Sequence, residues 1–427
     1  MNPRVETSTL PSGLRVTTVA LPHLHTVTMA MFIKVGARFE TPQDNGLSHF
    51  TEHMLFRGTE RHPTSLALNT AIERLGSTLH AETGRDYTLF QMSFEPSRVG
   101  DGLEIFGELL GRPRFADLEL ERALVLEEIN EDYSEDDIEI NADDIARGLM
   151  FEDHPLGQRI IGPRDNVERF TEADVRRHFK SFYGARNAIL CVAGPVEHAA
   201  VADAAARTLA VLPPGTPAEA QAALPMTGGP RLHHVKDSGS QTTLTVLLRG
   251  IAEHDPDYMA FAAFVRALDD GMSTRLHYQL ADQKGLAYSI SAGIEPLHDT
   301  SVLDVVSATG NAKVPQLIGE LLALLGTLRE PTVSAEELAK IQTRYRYEML
   351  AALDDASAMA AWYGGTALYY PPPALETRLA QMAAVSAEDL ARAAQRVIQP
   401  ANLVVVAVGA LSRARLGELR EVVTGWA

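Results

Sequence analysis

The sequence predicts an α+β protein made of two similar α/β sandwich domains, and three observations lead there. At 427 residues the chain is too long for one ordinary domain. Strand-like and helix-like segments mix without a strict βαβ rhythm, and hairpin-like pairs recur. The outline of the first half returns in the second, on the far side of a Pro- and Gly-rich tract near the midpoint.

Taken in order, residues 14–19 and 26–33 alternate with the period of two expected of strands and are rich in Val, Thr, Met and Phe. A helix is expected from about Asn45, which can cap it, with Gly46-Leu47 opening the turn and Gly58 as a stop. An acidic helix follows over 119–129, and an apolar strand over 188–194. The tract Leu212-Pro213-Pro214-Gly215-Thr216-Pro217 to Thr227-Gly228-Gly229-Pro230 reads as a linker. Beyond it come strands at 232–235 and 242–248, a long helix over 256–268, and a strand at 402–408. The expected division is therefore residues 1–212 for the first domain, 213–230 for the linker, and 231–427 for the second.

The residues that carry chemistry sit in the first helix. His49-Phe50-Thr51-Glu52-His53 has the form H-x-x-E-H. Histidines four apart on a helix project from one face, so both can bind one ion, and Glu52 is placed to handle a water. The order is reversed relative to the commoner H-E-x-x-H. With 14 His in the chain, chance placement supplies such a pattern about 0.03 times per chain. Its setting in a largely apolar helix favours a metal, because polar groups in such a helix need partners. Nothing comparable occurs in the second half.

Zn²⁺ in catalytic sites usually takes three protein ligands. The source of a third is the acidic helix, where Glu119, Glu121, Glu127 and Glu128 are the carboxylates available. Glu121 and Glu128, seven apart, share one face. Spacing alone does not choose among these four, and most acidic helices are simply solvated.

Composition narrows the function. The net charge of −18 and the lack of a basic stripe argue against nucleic acid. Cys191 is the single cysteine, which excludes intrachain disulfides and multi-thiolate metal sites; its apolar neighbours suggest a small buried hydrophobe. No run reaches transmembrane length and no signal-like segment opens the chain, so a cytoplasmic location and no membrane partner are expected.

With these residues in view, the chain resembles the pitrilysin/insulysin-type (inverzincin) metallopeptidases, more closely their processing-peptidase-like branch. The resemblance rests on H-x-x-E-H followed by Leu124-Val125-Leu126-Glu127-Glu128-Ile129, with Gly46-Leu47-Ser48 before the motif and Phe56-Arg57-Gly58-Thr59 after it. It extends to Pro155-Leu156-Gly157, Ile161-Gly162-Pro163, Gly271-Met272-Ser273-Thr274-Arg275-Leu276 and Gly285-Leu286-Ala287-Tyr288-Ser289, nearly the whole chain. It implies two homologous domains facing each other as a clamshell. It also implies that His49, His53 and Glu128 bind Zn²⁺, that Glu52 is the general base, and that Glu121 supports a ligand histidine. The segment around Leu79-His80-Ala81-Glu82-Thr83 becomes an edge strand to which a peptide substrate adds, with Ala81 in the strand and His80 a candidate donor to a substrate carbonyl.

One departure limits the expected activity. The resemblance calls for an Arg and a Tyr seven residues apart in the second domain, which grip the substrate and stabilise an oxyanion. Tyr288 is present, but Ala281 stands where the Arg belongs, and an alanine side chain donates no hydrogen bond. The expectation is a zinc-dependent endopeptidase acting on extended or unfolded peptides, or the metal-bearing subunit of a two-chain peptidase, as a homodimer or as a heterodimer with a homologous subunit. The alternatives are a non-catalytic scaffold subunit and a binder that captures peptides without cleaving them.

Overall fold

The computed structural model describes residues 3–426. They form two compact units of mixed α/β sheet and helices. The first unit carries a six-stranded sheet in the order β1-β2-β6-β3-β5-β4. Its strands are β1 (Arg4–Thr9), β2 (Arg15–Ala20), β3 (Val27–Ile33), β4 (His80–Thr83), β5 (Thr88–Phe94) and β6 (Ala188–Gly194). The second unit carries β7 (Arg231–Val235), β8 (Gln241–Arg249), β9 (Ser289–Pro296), β10 (Ser301–Gly310) and β11 (Leu403–Val408), in the order β7-β11-β8-β10-β9.

Pairing directions reveal the repeat that the coarse outline suggested. From β2 to β4 the first sheet reads parallel once, then antiparallel three times. From β7 to β9 the second sheet reads the same way. Among the described strands only β1, paired antiparallel to β2 at the edge, lacks a counterpart. The inner strands are apolar throughout because both faces are covered: every residue of β3, β6 and β11 is buried.

The units are discontinuous in sequence, unlike the two continuous halves expected. Residues 348–375 belong to the first unit and residues 130–157 to the second. In the first core, Met359, Ala360 and Tyr363 pack with Phe32, Ile189 and Cys191. Gly364 fits there because a Cβ would lie 2.6 Å from the Phe32 ring and 2.7 Å from the Cys191 Cβ. Cys191 is fully buried, and burial pushes its thiol up to about 12. In the second core, Ala146, Met150 and Phe151 pack with Leu247, Val404 and Val406.

The Pro- and Gly-rich tract is not a free linker. It holds no helix or strand between 213 and 230 but is tied down at points from Pro213 to Ala223. The carbonyls of Pro213 and Pro214 accept from the amides of Ala185 and Arg186, and Ala218 donates to Asn187. Arg38 donates to the Gln221 carbonyl at 2.6 Å, all within the first unit. Ala223 then donates to Asp299 in the second unit. Among the described residues no helix is long and apolar enough to cross a membrane.

Candidate metal centre

The H-x-x-E-H pentapeptide lies on helix α1 (Leu47–Leu55). Leu47, Phe50, Thr51, Met54 and Leu55 are buried, which turns His49, Glu52 and His53 to the remaining face. The N-terminus is not capped by Asn45, as its residue type suggested. Instead, the Asn45 amide donates to Glu40 at 3.0 Å and to the Arg159 carbonyl at 2.7 Å. Glu40 is the cap: one carboxylate oxygen accepts from Gly46 N at 2.9 Å and the other from Ser48 N at 2.6 Å. A buried carboxyl group thus meets the positive end of the helix that carries the site. Burial holds the Glu40 carboxyl above the usual range, against these donors. Gly46 itself is required, with φ at 97° and a Cβ position only 2.5 Å from the Ile161 carbonyl oxygen. At the other end Phe56 caps the helix, and Gly58 follows with φ at 115°.

The acidic helix spans Leu118–Asn130 and supplies the third side chain of the trio, the carboxylate of Glu128. Glu128 lies 3.6 Å from His49 Nε2 through one oxygen and 3.7 Å from His53 Nε2 through the other. The two imidazole rings are 4.6 Å apart, centre to centre. Among the described residues this is the one trio of His, Cys, Asp or Glu whose ligand atoms all fall within 4.8 Å of one another. These N···O separations are too long for hydrogen bonds, yet near the ~3.3 Å between ligands that bonds of about 2.0–2.1 Å make in a tetrahedron. The donor set of two imidazoles and a carboxylate therefore fits a zinc ion.

The charges around the trio have separable causes. Burial, and then the neighbouring His53, pull His49 down to about 3, so its imidazole is neutral and keeps a lone pair. Burial also pulls His53 down, but the Glu121 hydrogen bond and the charges of Glu121, Glu52 and Glu128 outweigh it and hold this imidazole above its ordinary value. Glu121 is buried; its Oε2 accepts from His53 Nδ1 at 3.2 Å and its other oxygen pairs with Arg57. That fixes the tautomer of His53, leaving Nε2 aimed at Glu128. Among the described residues His49 Nδ1 is buried with no hydrogen-bond partner, so this ring has no counterpart to the Glu121 contact of His53.

Glu52 is held mainly by burial above the usual carboxylate range, opposed by a hydrogen bond from Thr83 and the charge of His53. A glutamate poised this way can both take and return a proton. Thr83 ends β4, the edge strand on which His80 is exposed and Ala81 half-buried. His80 is close enough for its charge to act on Glu52. Hence His49, Glu52, His53, Glu121, Glu128, His80 and Ala81 all gather in the first unit. Tyr288 lies in the second, 85% exposed, its amide donating to the Ala308 carbonyl. Ala281, where an Arg was expected, sits in a π-helical turn over Leu276–Gln283. Three contributors have roles that sequence reasoning missed: Glu40, Arg57 and Thr83. Arg57 and Thr83 act through contacts between segments distant in sequence, and Glu40 through loop contacts with Gly46 and Ser48 that follow no helical or strand period.

A two-unit α+β chain with this trio defines a zinc-protease-like class. The particular family follows from two matches: the model described as Insulinase (Peptidase family M16) fits residues 15–164, and that described as Peptidase M16 inactive domain fits residues 169–345. The chain belongs to peptidase family M16. It is similar to an uncharacterized zinc protease of Streptomyces coelicolor, 26% identical over 411 residues, covering 92% of this chain and 87% of that one. A probable mitochondrial-processing peptidase subunit beta of Schizosaccharomyces pombe is 26% identical over 432 residues, with 96% and 92% covered. Among solved structures, a protease from Helicobacter pylori superimposes with a TM-score of 0.86 at 23% identity, covering 96% of this chain and all (100%) of that one. This last likeness is one of fold.

Proposed function

We propose that the chain is a zinc-dependent endopeptidase for extended or unfolded peptides, working alone or as the metal-bearing subunit of a two-chain peptidase. The observation that carries this reading is Glu52, a buried carboxylate kept beside a complete trio of ligand side chains. A scaffold has no use for such a base. His49, His53 and Glu128 would hold the ion. When bound there, zinc supplies Lewis acidity toward a peptide carbonyl and toward water.

The chain's own residues do the rest. Glu52 accepts a proton from the attacking water and delivers it to the leaving amine. Glu121, braced by Arg57, holds the Nδ1–H of His53 and so keeps the ring aimed. The free edge of β4 receives the peptide as an added strand through main-chain hydrogen bonds, which selects for extended substrates. His80 is placed to donate to a substrate carbonyl. Tyr288 would help stabilise the oxyanion, and a homologous partner would bring the Arg that Ala281 lacks. By ancestry we read two copies of one fold, residues 1–212 and 231–427, joined by 213–230.

Ala281 also favours a second reading, a metal-binding scaffold subunit without turnover. The test is peptide cleavage by the purified zinc-loaded chain, alone and mixed with a homologous subunit bearing the Arg. Glu52→Gln is expected to retain zinc and lose turnover by roughly 10²–10⁴-fold. Undiminished turnover in that variant would overturn the assignment of the base. Zinc without turnover under either condition would favour the scaffold.

A further inference from the structure

Glu52 does not reach its position unaided. The Thr83 hydroxyl donates to Glu52 Oε2 at 2.5 Å, across 31 residues of sequence. Thr83 is buried and is the last residue of β4. The chain around it is pinned. Gly84 N donates to the Tyr87 carbonyl at 2.8 Å, closing the turn into β5. Gly36 sits against that turn so closely that a Cβ there would lie 2.3 Å from the Gly84 carbonyl oxygen. Arg38 donates from its backbone to Arg85 at 3.0 Å and from its buried guanidinium to Asp86 at 3.2 Å. The hydroxyl is thus presented from a fixed point. The carboxylate it holds would otherwise turn about the flexible glutamate side chain.

We propose that Thr83 is a positioning residue for the general base. It occupies one oxygen of Glu52 and leaves the other to handle the proton. Because Thr83 belongs to the strand whose free edge would receive the substrate, it also ties the base to the element that sets the peptide's register. Substrate backbone and base are then held by the same four residues, His80–Thr83. This inference rests on the proposed peptidase reading for its catalytic consequence, but not for its geometry.

Thr83→Val is nearly isosteric, keeps the β-branched shape that suits a strand, and removes only the donor. Thr83→Ser restores the donor. In the zinc-loaded chain, with a partner subunit if turnover needs one, Thr83→Val is expected to lower kcat about 10–100-fold, the scale at which small misplacements of a catalytic group are felt. KM should stay within about twofold, since strand addition uses main-chain groups. Zinc content should be unchanged, and Thr83→Ser should recover most of the loss. A fall in KM-dependent binding alone, or a Ser variant as poor as Val, would overturn the proposal. Crystal structures of both variants decide independently of turnover. Glu52 should leave its place in Thr83→Val and keep it in Thr83→Ser; a carboxylate unmoved in the Val variant would sink the idea. Wild-type inactivity with and without a partner would instead count against the peptidase reading, while this structural comparison still tests the positioning.

Discussion

Removing Glu121 should damage the protein twice over. Its side chain is 6% exposed and faces Arg57, itself 13% exposed, on one side and His53 on the other. Glu121→Ala leaves a buried guanidinium without its carboxylate, a loss that costs about 3–5 kcal/mol when a buried pair is broken from one side. For a unit of this size each kcal/mol moves Tm by about 2–4 °C, so a drop of roughly 6–20 °C is expected in the metal-free protein. The second injury is to the site. Without its carboxylate, His53 Nδ1 loses the acceptor that fixes the ring, and zinc should bind about 10–100-fold more weakly. Calorimetry of the metal-free chain reads the first effect, and competition with a chromogenic chelator reads the second. The two separate in the double variant Arg57→Met, Glu121→Ala: taking away the stranded charge should recover most of the Tm but not the zinc affinity. A single variant as stable as wild type, or a double variant whose zinc affinity returns with its Tm, would refute this division of roles.

Glu40→Ala should lower stability by at least about 3 kcal/mol, because Gly46 N, Ser48 N and the Asn45 amide lose a shared buried acceptor; a Tm within about 2 °C of wild type would contradict it. Burial, and then Arg177, hold His178 down to about 3, well below its ordinary value, while its ring meets Ser48 at 3.2 Å. Its folded form therefore stays neutral where the unfolded chain takes up a proton. Its contribution is intact above about pH 6.5 and is lost at about 1.4 kcal/mol per pH unit as the pH falls from there toward about 3. Unfolding measured from pH 7 to 4 should show a shallower slope for His178→Gln than for wild type; parallel slopes would show that the imidazole titrates normally in the fold.

What was legible in the sequence was local or repetitive. His49, Glu52 and His53 declare themselves because helical spacing alone puts them on one face, and Glu128 because a resemblance singles it out among four nearby carboxylates. The strand at 26–33 was readable from its alternation, and those at 188–194 and 402–408 because full burial writes itself as a nearly unbroken apolar run. The rest depends on encounters that no helical or strand period encodes, several of them between segments far apart in sequence. Asn45 has the residue type of a cap, yet the fold uses it as a donor and recruits Glu40, whose role no spacing announces. Thr83 is ordinary until β4 is laid beside α1. The apolar faces of 142–151 and 356–368 signal burial but not the sheet they cover, and so the compact units could not be read as discontinuous. Proline and glycine in 213–230 do exclude helix and strand, but they leave room for backbone hydrogen bonds that bind the tract down.

The trio itself can be examined by zinc-edge anomalous diffraction from crystals of the zinc-loaded chain, with Glu128→Gln as the companion variant. One strong peak bounded by His49 Nε2, His53 Nε2 and a Glu128 oxygen, weakened or lost in the variant, is the expected result. A peak elsewhere, or a site undiminished without the Glu128 carboxylate, would contradict the assignment of these three side chains as the metal ligands.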